Sequence, residues 1–341
     1  MPEDNAGVPP WLALARMASG YTVSYVLRAM TVLDLADHLA TGPRTVADLA
    51  DVTGTHAPSL ARLLRALVAV GLCAYEDQDR VQLTPLGGLL RSDVPDSRKA
   101  SVLLNTSPWF PHALEELPYA IRTGEQTFRR IYGVGFWDYL AAHPADGAIL
   151  DTAMTAASST RATALRAARD LSRVSTVVDV GGGQGRLLAA LLVAVPGLHG
   201  ILADRQEVTV GASEVLTAAG VADRCAVVAA DFFVAVPAGG DAYVLSQIIH
   251  DWGDEEALAL LRTCHQAMAP GARLWLIEEV VQPQDRVDPD QALFDLTMLT
   301  LLGGKERTSD ELQQLLEAAG FTAVAILATD TAYSVVEAVR P

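Results

Sequence analysis

Five apolar runs between Thr176 and Glu279 each end in residues able to do chemistry. Thr176 to Val178 leads into Asp179 and the loop Val180-Gly181-Gly182-Gly183-Gln184-Gly185; His199 to Ala203 leads into Asp204; Cys225 to Ala230 leads into Asp231 and Phe232. Ala242 to Ile249 ends in His250-Asp251-Trp252, and Arg273 to Ile277 ends in Glu278-Glu279. Helix-period segments separate the runs, which is the βαβ rhythm of a parallel α/β sheet. Ligands of such sheets sit in the crevice outside the carboxyl ends of the strands. These polar residues are therefore expected to be neighbours around one ligand.

The glycine loop narrows the ligand. A P-loop needs Gly-Lys-Ser/Thr after its glycines, and none follows. A dinucleotide fingerprint needs glycine at its sixth position, and counting from Gly181 that position is Arg186. What remains, acid-x-Gly-x-Gly-x-Gly from Asp179 to Gly185, resembles motif I of the class I S-adenosylmethionine-dependent methyltransferases. The resemblance implies that Gly181 and Gly183 let the backbone approach the amino-acid end of the cofactor, with Asp179 turned toward its ammonium. A purely structural glycine turn is the competing reading. Asp204 lies 19 residues past Gly185, near the roughly 20-residue spacing at which a carboxylate takes up a ribose hydroxyl pair, which fits any adenosine cofactor. Asp231 offers an acceptor to an exocyclic amine, and Phe232 a ring to stack on a base; taken alone, Phe232 fits core packing equally well.

A longer pattern is more specific. Ser246-Gln-Ile-Ile-His250-Asp251-Trp252-Gly-Asp254-Glu255, then Ile277-Glu278 and Gly303-Gly304-Lys305-Glu306-Arg307-Thr308, are similar to the small-molecule O-methyltransferases that include plant caffeate-type enzymes and bacterial polyketide, phenazine and mitomycin tailoring enzymes. The likeness runs from about Trp11 to the C-terminus. It implies that His250 is the general base, flanked by Glu278 and Glu306, with Asp251 on the substrate side. The chemistry agrees: a phenol with pKa near 10 is mostly neutral at physiological pH, and histidine, near 6.5, is suited to taking its proton. A carboxylate on the second ring nitrogen would fix the tautomer and stabilise the imidazolium. A histidine at a strand end, taken alone, also reads as a hydrogen-bonded structural residue. Ser246 stands where plant members carry Lys, so a neutral hydrogen bond to the cofactor is expected there, and Arg205-Gln206 replaces the usual Leu-Pro after the ribose acid.

Other elements must position these groups. Pro43 to Arg91 has the pattern of a winged helix-turn-helix: Thr45-Val-Ala-Asp48 opens a helix with a capping box, Thr53-Gly54 turns, Ser59 to Val70 forms a second helix, and a wing follows around Glu76 to Asp79. DNA-binding domains concentrate positive charge on one face, whereas the second helix offers only Arg62 and Arg65 and the chain carries a net charge of −16. The module is expected to serve dimerisation, as in the resembled family, with the apolar runs Trp11 to Asp37 interlocking with a second subunit to make a homodimer. Trp109 to Ala157 is dense in aromatics; Phe136 and Trp137 are expected to be structural and Met154 to line the acceptor pocket. Phe294, Met298 and Leu302, spaced i, i+4, i+8, would present one apolar face to a planar substrate.

The expected architecture is α/β: a Rossmann-like methyltransferase domain over 171–341, a helical linker and acceptor-pocket region over 101–170, and a mostly helical winged-helix dimerisation domain over 1–100. Half the residues are hydrophobic and mean hydropathy is +0.25, ample for sizeable cores. The acidic start Met1 to Asn5 and the shortness of the apolar stretch Leu187 to Val195 predict neither a secretory signal nor a membrane span. Cys73, Cys225 and Cys264, few and scattered, suggest a reducing cytoplasm. With no second His or Cys at ligand spacing, no metal is expected. The anticipated activity is methyl transfer from S-adenosylmethionine to a hydroxyl of an aromatic small molecule in bacterial secondary metabolism. A same-fold enzyme performing hydroxylation or decarboxylation, and a metabolite-sensing winged-helix regulator, are the alternatives.

Overall fold

The computed structural model describes residues 8–77, 79–282 and 286–341. The acidic start and Gln78 of the expected wing turn lie outside them. Two compact units divide the chain at Pro108.

In the first unit Thr45 caps the helix Val46–Thr53: its hydroxyl accepts from the Asp48 N–H while the Asp48 carboxylate accepts from the Thr45 N–H. Gly54, at φ 63°, ends the helix in the left-handed region. Ala57–Ala69 follows and buries Leu60, Leu64 and Leu67 on one stripe. Cys73–Tyr75 and Arg80–Leu83 pair antiparallel as the wing, with Arg44–Thr45 on the far side of the second strand. The helix Pro10–Ala18 buries no residue; Trp11, Leu14 and Met17 are 70%, 68% and 61% exposed, and Tyr21 and Tyr25 on the next helix, Tyr21–Val32, are exposed as well.

The second unit is built on a seven-stranded sheet. Its strands are β1 (Thr176–Val180), β2 (His199–Asp204), β3 (Cys225–Ala229), β4 (Ala242–Ser246), β5 (Arg273–Glu278), β6 (Thr322–Ala328) and β7 (Ser334–Val339). Their order is β6-β7-β5-β4-β1-β2-β3. β1 to β5 run parallel, β7 lies antiparallel to β5, and β6 antiparallel to β7. The chain leaves β1 toward one edge and β4 toward the other, so the order reverses between β1 and β4, the place where an open α/β sheet leaves a crevice.

Side chains alternate across each strand and feed two cores. Val178, Tyr243, Leu245, Leu274 and Leu276 pack on one face with the helices Asp254–Ala267 and Ser309–Ala318. Val177, Val244, Trp275 and Ile277 pack on the other with Leu165 of the long helix Pro144–Ala168 and with Arg186–Ala194. In the last of these helices Leu188 is fully buried, and a Cβ on Gly200 of β2 would lie 2.8 Å from it, so only glycine lets strand and helix approach this closely. Leu188→Ala should cost about 2–5 kcal/mol by leaving a cavity at this contact, read as a lower urea midpoint with an unchanged slope.

Candidate active site

The run ending at His250 does not stay extended as far as Ile249. β4 stops at Ser246, Gln247 takes a positive φ of 56°, and Ile249–Asp251 forms a 3₁₀ turn. The cause is Glu278, at the end of neighbouring β5. One of its oxygens accepts from the backbone N–H groups of Ile248 and Ile249 at 3.1 and 2.9 Å, and the other from the Gln247 amide at 3.1 Å. These bonds satisfy backbone donors freed where the strand stops.

Glu306 arrives from the other side. Arg307–Thr308 pairs in parallel with Val280–Val281, just beyond β5, and Glu306 immediately precedes it. Its backbone N–H donates to the Asp295 carboxylate at 2.7 Å. Arg307, 3% exposed, clamps the turn by donating to the carbonyls of Ile249 and Trp252 at 2.9 and 2.8 Å while pairing with Asp254 at 2.8 Å. Gly304 must be glycine: a Cβ there would lie 2.0 Å from the His250 carbonyl oxygen.

His250 thus sits among three carboxylates. Nδ1 is 2.7 Å from Glu306 and 3.9 Å from Glu278, and Nε2 is 3.3 Å from Asp251. Burial alone lowers the imidazole pKa, but Glu278, Asp251 and Glu306 outweigh it and raise it to about 10. Burial pushes Asp251 up to about 7 against the opposing pull of His250, and Glu278 likewise to about 7. The two glutamates therefore differ: Glu306 holds the ring, whereas Glu278 holds the backbone turn that carries it. Donor atoms of His250, Glu278 and Glu306 lie within 4.8 Å of one another, the spacing of a three-ligand metal site. Here the Nδ1 to Glu306 contact and the N–H groups on Glu278 already occupy those atoms.

Alongside lies a cavity of about 420 Å³. Its wall includes Asp179, Gly181, Gly183, Asp204, Asp231 and Phe232 at the ends of β1 to β3, with Ser246 after β4. Gly181, Gly183 and Gly185 all have positive φ, at 71°, 61° and 76°, which only glycine adopts readily. Asp204 accepts from the backbone N–H groups of Gly183 and Arg205 at 2.8 and 2.7 Å. Phe232, Phe233 and Trp252 pack edge to face around one end. Asp179 is 1% exposed; burial, then the charge of Asp204, lift its pKa to about 7, with Arg161 opposing. Among the described residues neither Asp179 oxygen, nor the Ser246 hydroxyl, has a hydrogen-bond partner.

Met154 and Asp251 also line the cavity, as do Phe136 and Trp137 from the aromatic segment, where Phe136 packs edge-on to Trp109 and Phe128. His250, Glu278 and Glu306 do not: they line a small recess behind Asp251. Of the apolar face anticipated on the helix Pro289–Leu301, only Leu302, just past its end, reaches the cavity. Met298 is 5% exposed and Phe294 turns its ring toward His250, centroids 5.9 Å apart, because the helix packs against the helices Trp109–Glu115, Leu117–Thr123 and Thr127–Tyr132. Two lining groups carry no sequence signal. Arg161 is 6% exposed and donates to the Met154 carbonyl at 2.7 Å; Asp151 accepts from the Gln184 amide at 3.0 Å. Both sit on Pro144–Ala168, whose amphipathic pattern is too weak to show which side faces inward.

A sheet with this strand order, parallel but for the one antiparallel strand β7, and a cavity across its switch point define a class I transferase architecture. Residues 114–322 match the O-methyltransferase domain and residues 15–93 the O-methyltransferase dimerisation domain. The chain is 38% identical to a phenazine O-methyltransferase of Lysobacter antibioticus over 100% of both chains, and 41% identical to an O-demethylpuromycin-O-methyltransferase of Streptomyces alboniger over 94% of this chain and 86% of that one. A crystal structure of an O-methyltransferase from neocarzinostatin biosynthesis, in complex with S-adenosylmethionine and 2-hydroxy-5-methyl naphthoic acid, superposes with a TM-score of 0.81 at 37% identity, covering 93% of this chain and 95% of that one. The chain belongs to the O-methyltransferase family and is an S-adenosylmethionine-dependent enzyme. The cavity fits that donor: unpartnered Asp179 oxygens suit an ammonium, and open space beside Gly183 leaves room for the ligand against the backbone.

Asp179 gives a pH test. An acid whose folded pKa lies above its unfolded one destabilises the fold as pH rises between the two, here from 3.8 to about 7. Asp179→Asn should flatten the fall in ligand-free stability across that window, read by urea denaturation at a series of pH values, and should weaken S-adenosylmethionine binding in calorimetry. At the turn, Gly304→Ala should displace His250 and remove most activity while leaving calorimetric binding of S-adenosylhomocysteine within a few-fold.

Proposed function

We propose that the protein transfers a methyl group from S-adenosylmethionine to a hydroxyl of an aromatic small molecule of bacterial secondary metabolism, with the His250 cluster taking the proton. The observation that carries this reading is the continuity of one cavity from the glycine loop to Asp251, with a hydrogen-bonded His250–Glu306 pair directly behind. The bound donor supplies an electrophilic methyl on a sulfonium cation. Asp179 holds the ammonium end, Gly181 and Gly183 the amino-acid backbone, Asp204 the ribose hydroxyls, and Asp231 with Phe232 the adenine; Arg161 lies where a buried cation can meet the carboxylate. The acceptor lies between Met154, Trp137 and Leu302, with its hydroxyl toward Asp251. His250 is the base of the cluster, and Glu306, on Nδ1, holds the ring and stabilises it when charged. The relatives named for phenazine, puromycin and neocarzinostatin chemistry support an aromatic acceptor.

The chain is further proposed to work as a homodimer, because Pro10–Ala18 and Tyr21–Val32 expose apolar side chains at the start of the segment 15–93 that matches a dimerisation domain. Light scattering at micromolar concentration should give about twice 36.1 kDa.

Incubation with methyl-labelled S-adenosylmethionine and a panel of phenolic acids, quinones and polycyclic phenols, read by mass, tests the reaction. His250→Ala should lower turnover roughly 10²- to 10⁴-fold, the share of general-base catalysis, with cofactor affinity little changed. Residual activity should rise with pH more steeply than in the wild type, as the phenol ionises unaided. Wild-type turnover of a weakly acidic phenol by His250→Ala at neutral pH, with chemistry rate-limiting, would make His250 structural.

A further inference from the structure

From Gly181 to Gly185, Gln184 is the one residue that carries a side chain. The loop's backbone is tied to β2, because the N–H groups of Gly181 and Gly183 donate to the Ala203 carbonyl and the Asp204 carboxylate at 2.8 Å each. Toward the opposite wall of the cavity the tie is a side chain: the Gln184 amide donates to Asp151 at 3.0 Å. That amide lies in a narrow place, since a Cβ on Gly211 would come within 3.2 Å of its Cδ and Oε1.

Asp151 stands on the long helix Pro144–Ala168. Asp151, Met154, Ser158 and Arg161, spaced i, i+3, i+7 and i+10, all line the cavity and so share one face of that helix. Packing against Arg186–Ala194 supports the helix, and the bond from Gln184 joins its cavity face to the glycine loop. Met154 borders the acceptor's place and Arg161 the donor's carboxylate, so one helix serves both ligands. Resting on the methyl-transfer reading above, we propose that Gln184 is a positioning residue: through Asp151 it ties the loop on which the donor sits to the helix face that walls the acceptor, so that a seated donor raises affinity for the acceptor. The amide suits this place. Asp151 is half-buried, and Asp204, from the end of β2, is the other charged group acting on it; a neutral donor satisfies its carboxylate without adding positive charge to a wall that receives a sulfonium.

The test uses the full-length protein, S-adenosylmethionine, and the panel phenol that turns over fastest. Gln184→Glu sets two carboxylates against each other, and at about pH 8 it should raise the acceptor KM roughly tenfold, the effect of losing one hydrogen bond to a charged group. Turnover at saturation and the calorimetric Kd of S-adenosylhomocysteine should stay within about threefold. As pH falls, two adjacent carboxylates come to share a proton, so the ratio of variant to wild-type KM should fall with it. Combining Gln184→Glu with Asp151→Asn reverses the direction of the same bond and should return KM to within about threefold of the wild type. A KM unchanged in Gln184→Glu, a rise matched by an equal loss of S-adenosylhomocysteine binding, or a loss that the double variant does not relieve overturns the proposal. A second readout needs no acceptor: S-adenosylhomocysteine should slow amide hydrogen exchange over residues 144–154 in the wild type and not in Gln184→Leu. Equal protection in both proteins overturns the tie. Failure of the methyl-transfer reading shows itself separately, as no labelled product from any acceptor with the wild type, and leaves the exchange measurement to decide.

Discussion

Removing four ionisable groups from water at one strand end is the constraint that organises the second unit. His250, Asp251, Glu278 and Glu306 are each less than a tenth exposed, and desolvation costs several kcal/mol per ion unless each finds partners. The surrounding elements supply those partners. β5 must end beside β4 so that Glu278 can accept the N–H groups of the turn, and the strand pair Val280–Val281 with Arg307–Thr308 must form to bring Glu306 to Nδ1. Arg307 must then be buried to fasten the turn's carbonyls, with Asp254 neutralising it. Gly304 is what permits the close crossing of these two segments.

The same economy governs the cavity. Asp151, Asp179, Asp204, Asp231 and Asp251 line it, and burial raises the pKa of Asp151, Asp179, Asp204 and Asp251. Carboxylates crowded into a low-dielectric wall resist ionising together, and a cationic ligand relieves them. A sulfonium donor carries one more positive charge than its thioether product, so the acidic wall favours the donor. Arg161 is the counterweight on the same wall, a buried cation whose own pKa burial lowers.

Within the buried cluster, the difference between the carboxylates follows from which partners their atoms take. Glu278 spends one oxygen on backbone donors and the other on the Gln247 amide, Glu306 spends one on the ring, and Asp251 alone of the four lies near the ring and on the cavity wall.

Strand periodicity and punctuation were legible in the chain itself, because alternation and glycine spacing are local properties: apolar runs ending in polar residues marked β1 to β5, and Asp179 to Gly185 marked a glycine loop where the backbone can approach a ligand. The capping box at Thr45 was legible for the same reason, since its partner lies three residues away. Contacts between distant segments had no local signature. That β4 would stop at Ser246, that Glu278 would hold a turn and Glu306 a ring, that Phe294 would meet the His250 ring and that Met298 would be buried away from the cavity were decided by neighbouring strands and packed helices. Arg161 and Asp151 came to the cavity through the rotation of one long helix about its axis, which packing against Arg186–Ala194 sets and no nearby residue encodes. The sequence by itself determined which chemical groups the strand ends would carry; tertiary packing decided which of them face the ligand, because only burial and proximity assign partners to their atoms.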